Sequence, residues 1–145
     1  MKLMCAVVLA LLVVLPLSAA DPSFYGTWKM RPAGGPGDKS KQIQTITQVA
    51  DGVKINTDID FGNGTTMSLS YTTKLDGAEV PVYSAGKVVM TIRAKKTGPN
   101  TWEGTISANG MTTQFRTTMS ADGKVLTSES INGPTKSHSV FDRVH

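Results

Sequence analysis

The chain has 145 residues, of which 39% are hydrophobic and 6% aromatic, with a formal net charge of +4 and one cysteine. After residue 20 it holds only three leucines against eighteen threonines and eleven serines, a composition that excludes a helical bundle or coiled coil and suits half-buried pleated surfaces. The length fits one domain, and the basic residues, densest at Arg93-Ala94-Lys95-Lys96, are too scattered for the charged stripe of a nucleic-acid binder.

In chain order, Met1–Ala20 reads as a secretory signal. Lys2 supplies the positive start, Leu3 to Leu15 the apolar run, and Pro16 its break; Ser18-Ala19-Ala20 then places small residues for cleavage before Asp21. The apolar run is short of the ~20 residues of a spanning helix, and no second one follows. The expected product is therefore one domain, residues 21–145, exported to a periplasmic or extracellular space and not integral to the membrane. Cys5 lies in the removed segment, so this domain has no disulfide, no thiolate metal ligand and no cysteine nucleophile.

Turn chemistry then punctuates the chain at even intervals. Gly34-Gly35-Pro36-Gly37 closes the first segment. Asp51-Gly52, Asn63-Gly64, Asp76-Gly77, Asn109-Gly110, Asp122-Gly123 and Asn132-Gly133 favour tight hairpins, with Ala85-Gly86 and Gly98-Pro99-Asn100 filling the gap between the third and fourth. Nine such turns delimit up to ten short strands, and tight turns make neighbours antiparallel.

Between turns the residues alternate. Val53, Ile55, Thr57, Ile59 and Phe61 share one face, as do Met67, Leu69, Tyr71 and Thr73. Val88, Met90, Ile92 and Ala94 follow, then Trp102, Gly104, Ile106 and Ala108. Period two with one polar face marks a sheet wet on one side. Such a meander hides its inner face and its edges together by closing. The expected fold is all-β: a single antiparallel up-and-down barrel of about eight to ten strands. Glu79–Ser84, which contains Pro81, is expected to be an irregular crossover. The last two strands alternate poorly, and their inward face stays unassigned.

The segment Phe24-Tyr25-Gly26-Thr27-Trp28-Lys29 and the ending Val140-Phe141-Asp142-Arg143-Val144 resemble the calycin arrangement of lipocalins and fatty-acid-binding proteins, with Gly-x-Trp opening the first strand and a basic residue near the end of the last. The resemblance implies a structural plug made by Gly26, Trp28 and Arg143, with the arginine lying across the indole in a cation–π contact. The chain is also similar to small exported bacterial lipocalin-like domains, with their Gly-Thr-Trp-Lys start, a turn like Leu75-Asp76-Gly77, and Ser120-Ala121-Asp122-Gly123-Lys124 before a final Phe-Asp-Arg strand. Two family features are missing. There is no Thr-Asp-Tyr motif, and Val144 and His145 follow Arg143 where fatty-acid-binding proteins carry an Arg-x-Tyr carboxylate clamp. Pro32–Lys39 is also too short for their two-helix lid.

Chemistry is sparse. His138 and His145 are the two histidines, no serine sits in a nucleophile elbow, and no spacing suits a metal, so neither catalysis, a metal nor a cofactor is expected. Asp58-Ile59-Asp60 resembles half a calcium loop, but Gly62, Asn63 and Leu69 stand where ligand, glycine and bidentate glutamate are needed. Asn63-Gly64-Thr65 is a glycosylation sequon and reads better as a turn. The richer pattern is the inner face. Phe61, Tyr71, Met90, Trp102, Phe115 and Thr113 are expected to bind a ligand, with Met111, Thr57, Thr73 and Thr117 beside them. The expected function is non-catalytic binding of a small hydrophobic or amphipathic molecule. The alternative is a solid barrel acting as an envelope protein-binding or inhibitor-like module. Haem carriage on an inward His138 is a minor third reading.

Overall fold

Strands form where alternating Thr, Val, Ile and aromatic residues run between turn residues, and the computed structural model, which describes residues 23–145, contains ten of them. The expected signal, with Cys5, lies outside the described residues. The first half comprises β1 (Gly26–Met30), β2 (Lys41–Val49), β3 (Gly52–Asp60), β4 (Thr66–Thr73) and β5 (Asp76–Ser84). The second comprises β6 (Lys87–Gly98), β7 (Thr101–Ala108), β8 (Met111–Met119), β9 (Val125–Asn132) and β10 (Thr135–Val144). Each strand pairs antiparallel with the next, and β1 pairs with β10 to close the barrel. Closure leaves the sheet without an edge, which a small domain lacking disulfides needs to avoid edge-to-edge pairing.

Two turns fall beside their expected positions. Asp76 pairs with Lys95 inside β5, so the β4–β5 reversal is made by Lys74-Leu75, with Leu75 at φ 55°. The Thr73 hydroxyl accepts the Leu75 N–H at 3.1 Å, and the Asp76 carboxylate that of Ala78 at 3.0 Å. Side-chain capping of this kind fixes the turn before the glycine is reached. At the other reversal Asn132 still pairs with Thr135, leaving Gly133-Pro134 as the turn.

The Glu79–Ser84 segment is not a crossover; it belongs to β5 and pairs along its length with β6. It is irregular on both sides, and its pairing with β4 is the sparser of the two. Only Ser70↔Tyr83 joins β4 to β5, against eight paired positions between β3 and β4. Pro81 gives neither neighbour an N–H, and on the β6 side register shifts interrupt the ladder between Asp76 and Glu79 and between Val82 and Tyr83.

The topology gathers alternate turns at the two ends of the barrel. One end holds the Ser23–Tyr25 segment that leads into β1 and the turns after β2, β4, β6 and β8, and here the core is dense. Trp28, Ile46, Ile55, Met119 and Leu126 are fully buried, and Phe24 stacks on Trp102 with centroids 4.4 Å apart. Gly104 permits a close crossing just above this layer. A Cβ there would overlap the Arg93 carbonyl oxygen and come within 3.0 Å of the Phe115 ring.

Candidate functional site

The closed end is sealed by the pair that the resemblance implied. Trp28 is 0% exposed, and its Nε1 donates to the Phe24 carbonyl at 2.9 Å. The Arg143 guanidinium lies 4.2 Å from the Trp28 ring centroid. Arg143 Nε donates to the Gly123 carbonyl and Nη1 to the Tyr25 carbonyl, both at 2.7 Å, while Nη2 donates to the Ser23 carbonyl. One planar fork thus ties the segment before β1, the β8–β9 turn and β10 together. Gly26 makes room for it, since at φ 135° a Cβ would stand 2.7 Å from Arg143 Nη1.

Beyond the plug the barrel is hollow. A cavity of about 300 Å³ receives residues from nine of the ten strands, β1 being the exception. On one side β4 and β5 contribute Leu69, Tyr71 and Val82, and β6 contributes Met90 and Ile92. Trp102 and Ile106 from β7 and Phe115 from β8 complete that apolar side. Removal from water inside the barrel pushes the Tyr71 phenol well above its ordinary range. The other side is built differently. Gln42 and Gln44 enter from β2 and Thr57 from β3, with Thr117, Ser128, Ser130 and Ser139 facing them from β8, β9 and β10. Leu126 and Phe141 underlie this polar wall.

Of the expected binding residues, Tyr71, Met90, Trp102 and Phe115 therefore meet at one cavity, together with Thr57 and Thr117. Phe61, Thr113 and Met111 do not line it. Phe61 lies one residue past β3, donates its N–H to Thr65 O at 3.0 Å, and is 47% exposed. Met111 is the first residue after the Asn109-Gly110 turn and is 64% exposed. Both have the inward parity of their strands, but they stand at the open rim, where no facing wall remains. Thr113 is paired with Ile106, short of that rim, and is half-buried. Thr73 is buried in the closed half, where its hydroxyl caps the β4–β5 turn.

His138 is exposed and alternates with the cavity residue Ser139, so it faces away from the interior and cannot serve as an axial haem ligand there. Asp58 accepts a hydrogen bond from Ser68 at 2.6 Å and Asp60 one from the Gly62 N–H at 2.8 Å. Among the described residues no cluster of three or more His, Cys, Asp or Glu side chains could hold a metal ion. Asn63 caps its own turn through the Thr65 N–H at 3.0 Å.

Sequence reasoning missed the polar wall. On β2 a reader sorting by hydropathy would turn Ile43 inward; instead Ile43 is 38% exposed while Gln42 and Gln44 face the cavity. The available signal was parity with Ile46, which is buried two residues beyond Gln44. On β9 the series Leu126, Ser128, Ser130 has the right period, but its neighbours Thr127 and Glu129 are polar too, so contrast is lost.

No family model matches the chain, and no curated protein matches it in sequence. In three dimensions it is similar to the wild-type fluorescent protein UnaG, with TM-score 0.58 and 16% identity over 83% of this chain and 97% of that one. Fatty-acid-binding protein 1 of Echinococcus granulosus aligns at TM-score 0.61 and 14% identity over 84% and 98%. Secretory abundant heat soluble protein 4 of Ramazzottius varieornatus aligns at 0.59 and 15% over 83% and 94%. The fold is thus a closed ten-stranded antiparallel barrel, similar in fold to these solved structures. It differs from the lidded form described above in that β1 and β2 are joined by residues 31–40 without a helix.

Proposed function

We propose that this protein is a non-catalytic carrier, exported after cleavage before Asp21, that holds a small hydrophobic or amphipathic molecule inside its barrel. The observation that carries this reading is the cavity of about 300 Å³, walled by Tyr71, Met90, Trp102 and Phe115 on one side and by amides and hydroxyls on the other. That volume stands at the lower end of the range of small-molecule sites. Binding follows from burial of apolar ligand surface, at roughly 25 cal/mol per Å² removed from water, while the polar wall sets orientation. A solid barrel would have packed this space with side chains. The barrel likeness to a fatty-acid-binding protein supports a ligand-holding role by analogy of fold.

Native mass spectrometry of gently purified protein tests the proposal directly, through a co-purified small molecule of defined mass. Met90→Trp, which fills the cavity from β6, should abolish uptake of an environment-sensitive apolar probe while the protein stays folded. If the wild type takes up no probe, and Met90→Trp destabilises by about 1–3 kcal/mol as in an overpacked core, the carrier reading fails and the solid protein-binding module replaces it.

A further inference from the structure

The two sides of the cavity differ in chemistry, and the polar side has a specific composition. Every polar side chain on the wall is neutral: amides at Gln42 and Gln44, hydroxyls at Thr57, Thr117, Ser128, Ser130 and Ser139, and the Tyr71 phenol. These groups hold one another loosely. Gln44 Nε2 donates to Thr57 Oγ1 at 3.5 Å, and the Thr117 and Ser128 hydroxyls are 3.3 Å apart. Both distances exceed the usual range for their donor types, which leaves donors and acceptors free to turn towards a guest.

The charged groups lie outside this wall. Arg143 is committed to three backbone carbonyls at the closed end. Arg31–Asp142, Arg93–Glu79, Arg116–Glu103 and Lys136–Glu129 are exposed pairs outside the cavity. Among the described residues no cationic side chain lines the cavity.

We propose that the cavity selects a neutral amphipathic molecule, with a hydroxyl, ester or amide group against the Gln44–Ser128–Ser139 wall and a hydrocarbon or aromatic body against Tyr71, Met90 and Trp102, and that it discriminates against carboxylates. The inference rests on the carrier reading above and adds the head-group class. A hydroxyl or amide entering this space exchanges water for protein hydrogen bonds at little net cost. An ionised carboxylate loses far more hydration, and neutral amides and hydroxyls compensate it poorly without a cation. A fatty acid would therefore enter in its protonated form, so its apparent affinity would fall as pH rises above the carboxyl range. Likeness to a fatty-acid-binding barrel carries the fold and not its head-group chemistry.

The test compares 1-dodecanol with dodecanoate, both below their aggregation limits, by calorimetry and by tryptophan fluorescence of the purified protein between pH 5 and 9. Dodecanol is expected to bind with an affinity that does not change across this range. Dodecanoate affinity is expected to fall by about tenfold per pH unit once its carboxyl ionises. The double variant Ser128→Ala with Ser139→Ala is expected to weaken dodecanol binding about fivefold or more. Dodecanoate binding at pH 9 as tightly as dodecanol would overturn the head-group inference and leave the carrier reading standing. Equal dodecanol affinity for the double variant and the wild type would overturn the assignment of the polar wall. Binding of neither ligand at any pH would overturn the carrier reading and this inference with it.

Discussion

Arg143 and Trp28 are directly paired across β10 and β1, with the guanidinium 4.2 Å from the indole centroid. The contact joins the first strand to the last, so barrel closure and plug formation are one event. Trp28→Ala should cost about 3–5 kcal/mol in chemical denaturation, as large aromatics do when removed from a core. Arg143→Lys keeps the charge and loses the planar fork. It should still cost roughly 1.5–3 kcal/mol, because carbonyls of Ser23, Tyr25 and Gly123 lose a charged donor. A Trp28→Ala protein as stable as the wild type would show that the plug carries no weight.

Gly104 tests the tight crossing of β6 and β7. Its missing Cβ admits the Arg93 carbonyl and the Phe115 ring, so Gly104→Ala must separate strands across the middle of the barrel. The expected loss is about 1–3 kcal/mol, with a larger loss for Gly104→Val, read from urea midpoints. Gly110→Ala is a useful contrast, because a Cβ there meets nothing within 4 Å and the cost arises only from φ +75°.

Acid should loosen the β1–β10 seam. The Arg31 guanidinium holds the Asp142 carboxyl below its ordinary value through two hydrogen bonds of 2.7 and 2.6 Å. The Ser40 and Ser120 side chains lower Asp38 and Asp122 in the same direction. A carboxylate depressed in the folded state stabilises above its unfolded pKa, and that contribution is lost as pH falls through the folded value. Thermal midpoints should therefore hold steady from neutral pH down to the ordinary carboxylate range and decline below it. Asp142→Asn should remove part of the decline. All three groups are exposed, so the effect should be small and should shrink further in salt.

Hydrogen exchange should find its weakest link between β4 and β5. A single pair, Ser70↔Tyr83, holds that seam, whereas β2 and β3 share nine. Amides of Ser68–Tyr71 and Val82–Ser84 should exchange sooner than those of Gln44–Val49. Uniform protection around the barrel would contradict the structure at this seam.

Much of the barrel was legible because period-two alternation and Asn-Gly or Asp-Gly turns are local signals. Val53, Ile55 and Thr57 read inward and are buried; Lys54 reads outward and is exposed. The Trp28–Arg143 contact was legible through resemblance, since nothing local links residues 115 positions apart. Half of the cavity was legible for the same local reason, as Tyr71, Trp102 and Phe115 alternate with polar neighbours and Met90 shares the parity of Ile92. Phe61 and Met111 were misread because parity gives a face and not a height along the barrel axis.

By itself the sequence determined an all-β meander of eight to ten strands, the placement of most turns and the identity of the plug residues, all of which follow from backbone preferences over a few residues or from a recognisable pair of end motifs. The tertiary structure alone decided that the interior is hollow and that one wall is polar. Gln42, Gln44, Ser128, Ser130 and Ser139 face inward because register with Ile46, Leu126 and Phe141 leaves them no other side. Their own polarity argues for the surface; the ladder of hydrogen bonds, fixed by closure between β1 and β10, overrides it.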